Sequence, residues 1–219
     1  MQTGGTTGRS RAVVHSEACW ATMIATCWTL TPFEGRPVHL MAAPMTHGAG
    51  FLAYIWMAGG ATSVVMDRVE PSWVLDAIEQ HRITHMYLPP TALYSLLAYP
   101  GVRARDFSSL KYFVVAASPV SPEKFKEAVE VFGPCMCQTY GQAEAPAFLT
   151  WLTPAQTAQA ARDPAFAHRL RSCGKATLLS RVELVDDTGR RLPPGSTGEI
   201  CMKGGLRMLG YYKNEVATQ

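Results

Sequence analysis

Short apolar runs alternate with stretches of helical period along most of the chain. Val38–Ala43, Thr62–Met66, His85–Leu88, Tyr112–Ala116 and Cys135–Thr139 are apolar runs of strand length, the pattern of strands buried on both faces. Between them the spacing predicts helices. Ser16 suits the N-cap of a helix from Glu17 to about Leu30. Pro71-Ser72 opens a second, with Trp73, Leu75, Ile78 and His81 marking its apolar face. Ser121-Pro122-Glu123 opens a third, in which Phe125, Val129 and Phe132 line up before Gly133-Pro134 ends it. Alternation of this kind predicts an α/β fold with a mostly parallel sheet and crossover helices.

The texture changes near Thr153. Residues 153–171 are rich in alanine and polar side chains and read as a helix and loop over the surface. Beyond Ser172, Arg181–Val185 and Glu199–Lys203 alternate like exposed strands, punctuated by the turn signals Asp186-Asp187-Thr188-Gly189 and Pro193-Pro194-Gly195. The expected organisation is an α/β region over residues 1–171 and the start of a small β-rich subdomain over residues 172–219.

With 219 residues, 47% of them hydrophobic and 17% charged, the chain can bury a substantial core and is not disordered. Its net charge of +3 comes with no basic block interleaved with aromatics, so no nucleic-acid partner is expected. The longest apolar-leaning stretch, Ala18–Leu30, is too short to span a bilayer. The opening Met1-Gln2-Thr3-Gly4-Gly5 is unlike a signal peptide, which points to a cytoplasmic location. There are 6 cysteines and no C-x-x-C pair; Cys135 and Cys137 are spaced like two same-face residues of a strand. A metal or redox site stays open, but the pattern favours buried, reduced thiols.

Two segments carry candidate chemistry. In Thr3-Gly4-Gly5-Thr6-Thr7-Gly8-Arg9-Ser10-Arg11, glycines let the backbone approach phosphate oxygens, while hydroxyls and guanidinium groups supply donors. It matches neither the Walker loop nor the dinucleotide fingerprint, and composition alone fits a flexible polar tail equally well. In Gln138-Thr139-Tyr140-Gly141-Gln142-Ala143-Glu144-Ala145-Pro146, Glu144 stands at the carboxyl end of a predicted strand, where open parallel sheets bind ligands. A carboxylate there can hold Mg²⁺, which takes its remaining ligands from phosphate and water; a solvated turn glutamate is the alternative.

Together these segments resemble the adenylate-forming (AMP-binding) superfamily of acyl-CoA synthetases, luciferases and peptide-synthetase adenylation domains. Thr3–Ala12 is similar to its Ser/Thr/Gly-rich loop, Ala116-Ala117-Ser118-Pro119-Val120-Ser121 to its G-G-A-P-L-S segment, and Tyr140, Gly141 and Glu144 to its Y-G-x-T-E segment. Gly198, Glu199, Ile200, Gly204, Gly210, Tyr211 and Tyr212 follow its closing G-E-I…G…G-Y, in the family's order. The resemblance implies that Thr3, Gly4, Gly5, Thr6, Thr7, Gly8 and Arg11 hold the β- and γ-phosphates of ATP. It places Ala117, Ser118 and Pro119 along the adenine, Tyr140 stacked on it, and Thr139 and Gly141 nearby. Glu144 would bind Mg²⁺, and His47, within Pro44-Met45-Thr46-His47-Gly48-Ala49-Gly50, would lie beside the carboxylic acid substrate.

The implied activity is ATP-dependent activation of a carboxylic acid as acyl-AMP, then transfer to coenzyme A, as in an acid–thiol ligase. A homo-oligomer is left open. Departures from the family pattern are Arg11 for lysine, Ser10 and Ala12 for proline and glycine, and Ala143 for threonine. The resemblance also implies a large preceding subdomain, a later ribose-binding aspartate and a small carboxyl-terminal domain with a catalytic lysine. The second reading is therefore a catalytically inactive nucleotide-binding or dimerising fragment. Reactants must be fixed to about 1 Å for in-line attack. Uncovered sheet edges also invite association. On this basis the isolated 219 residues should self-associate, bind ATP weakly at best and fail to make acyl-adenylate. ATP–pyrophosphate exchange with a panel of fatty and aromatic acids, alongside light scattering, tests this. Robust acid-dependent exchange by a monomer would show that the missing roles are filled from within these residues.

Overall fold

A computed structural model describes Thr3 and residues 10–218. Among them, seven strands form one sheet, in the order β3-β2-β4-β5-β6-β7-β8. These are β2 (Val38–Met41), β3 (Thr62–Val65), β4 (His85–Leu88), β5 (Tyr112–Val115), β6 (Met136–Gln142), β7 (Ala145–Leu152) and β8 (Lys175–Ala176). From β3 through β6 all neighbours run parallel; β7 and β8 are added antiparallel. The expected α/β class with a mostly parallel sheet and crossover helices is what the chain adopts.

Helices cover both faces. On one lie α1 (Glu17–Leu30) and α2 (Gly48–Ala58), whose Met23, Cys27, Phe51, Ile55 and Trp56 pack with Val114 and Cys137 of the sheet. On the other lie α3 (Pro71–Gln80), α4 (Pro90–Leu97), α5 (Pro122–Phe132) and α6 (Pro154–Arg162), packed with Phe113, Val115 and Met136. Successive residues of β5 thus face opposite clusters, as the two-residue period of a strand requires.

Local chemistry sets the helix starts. Ser16 Oγ accepts the Cys19 N–H at 3.1 Å, and Ser121 Oγ accepts the Lys124 N–H at 3.3 Å. Thr153 and Gln156 form a reciprocal capping box with both bonds at 3.1 Å. Pro71, Pro90, Pro122 and Pro154 each stand in a first turn, where the missing N–H costs nothing.

Several expectations change. The buried face of α3 is Val74, Leu75, Ala77 and Ile78, whereas Trp73 is exposed beneath the Arg68 guanidinium, 4.8 Å from its ring centroid, and His81 is an exposed C-cap residue. Cys135 and Cys137 do not share a strand face: β6 begins at Met136, and the two thiols belong to opposite clusters. Cys201 is exposed and Cys173 partly so, unlike the other four, which are buried and free. Residues 164–171 form a 3₁₀ helix rather than a loop. Helices α2 and α4 and strand β7 were not anticipated. Among the described residues no group of three or more His, Cys, Asp or Glu could hold a metal, and no helix is long and apolar enough to cross a membrane.

Beyond Ser172, β9 (Ser180–Val185) and β10 (Glu199–Gly204) pair antiparallel. Asp186 Oδ1 caps the turn after β9, accepting the Thr188 and Arg190 N–H groups at 2.9 Å each. A last ribbon joins the two ends of the described chain: β1 (Val13–Val14) pairs antiparallel with β11 (Gly210–Tyr211).

At the amino-terminal ends of β2 and β4, His39 and His85 pair in register and are buried with Trp56, whose ring lies 4.2 Å from His39 and 5.3 Å from His85. Burial, reinforced by the charge on His85, pushes His39 down to about 3, and burial pushes His85 down to about 4. Both rings are therefore neutral in the fold at pH 7, while the unfolded chain takes up protons below about 6.5. Stability should be complete above that pH and fall as the pH drops from about 6.5 toward 4, by up to about 1.4 kcal/mol per unit per histidine. Urea unfolding between pH 7.5 and 4.5 measures the slope. Carboxylates titrate in both proteins, so a His39→Leu/His85→Leu variant should show a shallower slope; an unchanged slope would exclude these histidines as its source.

Candidate functional site

The parallel strands β2, β5 and β6 end at Met41, Val115 and Gln142; the segments that follow carry His47, Ala117–Pro119 and Glu144, and Thr139, Tyr140 and Gly141 lie in the last residues of β6. They therefore meet one edge of the sheet, the carboxyl edge, where ligands bind in open α/β sheets. The chain reverses its direction of sheet growth between β2 and β4, because β3 is added outside β2 while β4 and later strands extend the other side. His47 stands at this switch point, at the N-cap of α2. Its side chain is exposed, with Nδ1 2.9 Å from Thr46 Oγ1, and caps no backbone N–H. Gly50 makes the turn possible: a Cβ there would lie 2.0 Å from the Met45 carbonyl oxygen.

Ala117, Ser118 and Pro119 lie exposed along the same edge. Ala117 is in the left-handed region at φ +79°, a conformation that costs a non-glycine residue on the order of 1 kcal/mol.

Glu144 sits in the turn between β6 and β7. The register between these strands shifts between Tyr140 and Gln142, where Ala147 adopts φ +64° and its carbonyl presses on Gly141. Thr139 is buried, and its hydroxyl donates to the Thr150 carbonyl at 2.8 Å, so it is committed to the β6–β7 pairing. Tyr140 is half-buried, and burial raises its phenol above the usual range. Glu144 is tied twice to the segment around β11: its carbonyl accepts the Met208 N–H at 2.8 Å, and its Oε1 accepts the Tyr211 hydroxyl at 2.5 Å. That hydrogen bond to Glu144, followed by burial, raises the Tyr211 phenol. The preceding Ala143 carbonyl lies 2.8 Å from His15 Nε2; His15 is itself lowered, chiefly by burial.

The Arg11 guanidinium stands 5.1 Å from the Tyr211 ring centroid. Arg11 in turn clasps Thr3: the Thr3 N–H donates to the Arg11 carbonyl at 2.9 Å, and the Arg11 N–H donates to Thr3 Oγ1 at 3.0 Å. The two ends of the glycine–threonine loop therefore meet. Gly4, Gly5, Thr6, Thr7 and Gly8 lie outside the described residues. Arg11 and Tyr211 also line a cleft of about 490 Å³ with Lys213 and Asn214.

The structure thus joins Arg11, Glu144 and the loop's ends through Tyr211, and sets His47 and Ala117–Pro119 after other strands of the same edge. Tyr211 and His15 were not among the expected site residues. Gly210-Tyr211 was visible as a motif, but its role depends on the pairing of β1 with β11. The donor set suits a hard cation: one carboxylate with one oxygen already oriented and, among the described residues, no zinc-like cluster, leaving the other ligands to phosphate and water.

The class the fold defines is an open, two-faced α/β sheet, mostly parallel, with the carboxylate of Glu144 at its carboxyl edge. The profile of the AMP-binding enzyme family matches residues 1–212, and the chain belongs to that family. It is 38% identical over 211 residues to the medium/long-chain-fatty-acid–CoA ligase FadD8 of Mycobacterium tuberculosis, covering 96% of this chain and 35% of that protein. It is 29% identical to a feruloyl-CoA synthase of an Amycolatopsis species, covering 100% of this chain and 43% of that protein. The amide bond synthetase McbA from Marinactinospora thermotolerans superposes with a TM-score of 0.88 at 31% identity, over 99% of this chain and 42% of the other. The chain thus spans 35% to 43% of the length of these relatives.

The strain at Ala117 is testable. Ala117→Gly should stabilise the protein by about 0.5–1 kcal/mol in chemical denaturation, since relief of the left-handed alanine outweighs the greater freedom of glycine in the unfolded chain. No gain would mean that the segment relaxes without cost.

Proposed function

We propose that this chain supplies the ATP-binding part of an acid–thiol ligase that activates a carboxylic acid as acyl-AMP and passes the acyl group to coenzyme A. Residues 1–171 would be the ATP-binding α/β region and residues 172–219 the start of a small β-rich subdomain. The observation that carries this reading is the placement of Glu144 at the carboxyl edge, its carboxylate oriented by Tyr211 beside Arg11 and the ends of the glycine–threonine loop. Acyl-CoA ligases among the relatives support the reaction class.

In this reading an oxygen of the substrate carboxylate attacks the α-phosphorus of ATP, and the bond to the bridging oxygen of pyrophosphate breaks. A carboxylate is a poor acylating agent because oxide leaves badly; AMP leaves readily, so a thiolate sulfur can then displace it. The protein's share is positioning and neutralisation of phosphate charge. Thr3, Gly4, Gly5, Thr6, Thr7, Gly8 and Arg11 would hold the outer phosphates, with Arg11 supplying a planar guanidinium. Ala117, Ser118, Pro119, Tyr140 and Gly141 would flank the adenine; Thr139 would contribute by holding the β6–β7 turn rather than through its hydroxyl. His47, exposed at the switch point, would face the acid. Mg²⁺ held by Glu144 would neutralise phosphate charge.

ATP–pyrophosphate exchange by the protein at its native length, followed by thioester analysis with coenzyme A and a panel of acids, tests the proposal. Glu144→Ala should lower exchange on the order of 10²–10³-fold. Exchange that survives Glu144→Ala near the parent rate would reject the magnesium role, and acid-independent ATP turnover would reject the ligase reading.

A further inference from the structure

Among the described residues, the Tyr211 side chain touches both the Glu144 carboxylate and Arg11 at the end of the glycine–threonine loop. We propose that Tyr211 is a positioning residue that fixes the Glu144 carboxylate for the metal and couples it to the phosphate loop; this rests on the magnesium role given to Glu144 above. Its hydroxyl donates to Oε1 at 2.5 Å, a short charge-assisted bond that fixes the carboxylate rotamer and leaves Oε2 for a ligand. Its ring carries the Arg11 guanidinium at 5.1 Å.

The backbone of Tyr211 is held as firmly as its ends. It pairs with Val13 across the β1–β11 ribbon, its N–H donates to Thr218 Oγ1 at 3.0 Å, and the Tyr212 N–H donates to the Ala12 carbonyl at 2.7 Å. The Met208 N–H grips the Glu144 carbonyl from the same segment. Glu144 is therefore fixed at both backbone and side chain by residues 208–211, and those residues are fixed to the strand that leaves the phosphate loop. Groups that orient a metal-binding carboxylate typically change metal affinity by about 10–100-fold when removed.

A tyrosine that served only to tie segments together would alter melting temperature and leave metal binding alone. The experiment uses the protein at its native length, Mn²⁺ as the probe and a non-hydrolysable ATP analogue, with bound metal read by electron paramagnetic resonance. Tyr211→Phe should weaken Mn²⁺ binding about 10–100-fold in the ternary complex while leaving metal-free binding of the analogue unchanged. Tyr211→His, which keeps a ring donor, should recover part of the loss. Glu144→Ala should abolish the difference between tyrosine and phenylalanine at position 211, because the two side chains act as one unit. If Glu144→Ala weakens Mn²⁺ binding and neither position-211 variant does, Tyr211 does not position the carboxylate and the inference fails alone. If Glu144→Ala has no effect on Mn²⁺, the magnesium role fails, and the inference falls with it. Equal loss of analogue binding with and without metal would assign Tyr211 a structural role and overturn the proposal.

Discussion

A methyl group on Gly141 would sit 2.2 Å from the carbonyl oxygen of Ala147, far inside contact distance, so β7 can fold back along β6 only because that position is bare. The close approach turns a parallel sheet antiparallel at this point and throws the intervening residues out at the carboxyl edge. Glu144 is the charged residue in that turn. Its half-buried carboxylate would be costly to leave without partners, and Tyr211 and the Met208 N–H bind the residue from a segment remote in sequence. The placement of Glu144 therefore depends on one bare position in β6 and on partners for its charge.

The central strands of the sheet support this edge by being buried on both faces, whereas the edge strand β3, expected to be buried, is largely exposed. Phe113 and Val115 bury against α3–α6 while Val114 buries against α1 and α2, so β5 cannot slip by one residue without exchanging the two cores. Register fixed in this way fixes where each strand ends, and with it the positions of His47, Ala117 and Glu144. Two buried polar groups of the sheet lie away from this edge. His39 and His85 remain neutral among aromatic rings at the amino-terminal ends of their strands, so their sensitivity to acid concerns the fold more than the chemistry.

How much of this was legible depended on how each element signals itself. Buried strands such as His85–Leu88 show as apolar runs, and α1 and α5 show their serine N-caps, so these were read closely. Helix α2 hides because Phe51, Leu52, Ile55 and Trp56 are all buried, leaving little polar face to create a helical period. In α3, Leu75 and Ile78 are buried as expected, but Trp73 and His81 are not, since an exposed tryptophan covered by Arg68 looks the same in sequence as a buried one. Strand β7 carries Pro146 near its start, which reads as a breaker although the remainder is apolar and buried. The roles of Glu144 and His47 came from a resemblance; single residues at strand ends carry no periodic signal. Tyr211 stayed hidden because its partner, Glu144, lies in a distant turn.

That distance has a consequence for how the site assembles. The loop ends at Thr3 and Arg11 clasp one another locally, but the strand leaving them is held by β11 from the far end of the described chain. The loop-closure cost of such a pairing grows slowly with length, yet it must be met before any long-range contact stabilises the ribbon. With two residue pairs in the ribbon, the pairing alone gives little stability; the Tyr211–Glu144 bond and the Arg11–Tyr211 stack add to it. The contacts that hold the Glu144 carboxylate therefore also help to close the ribbon, so the pairing of β1 with β11 and the placement of Glu144 support one another.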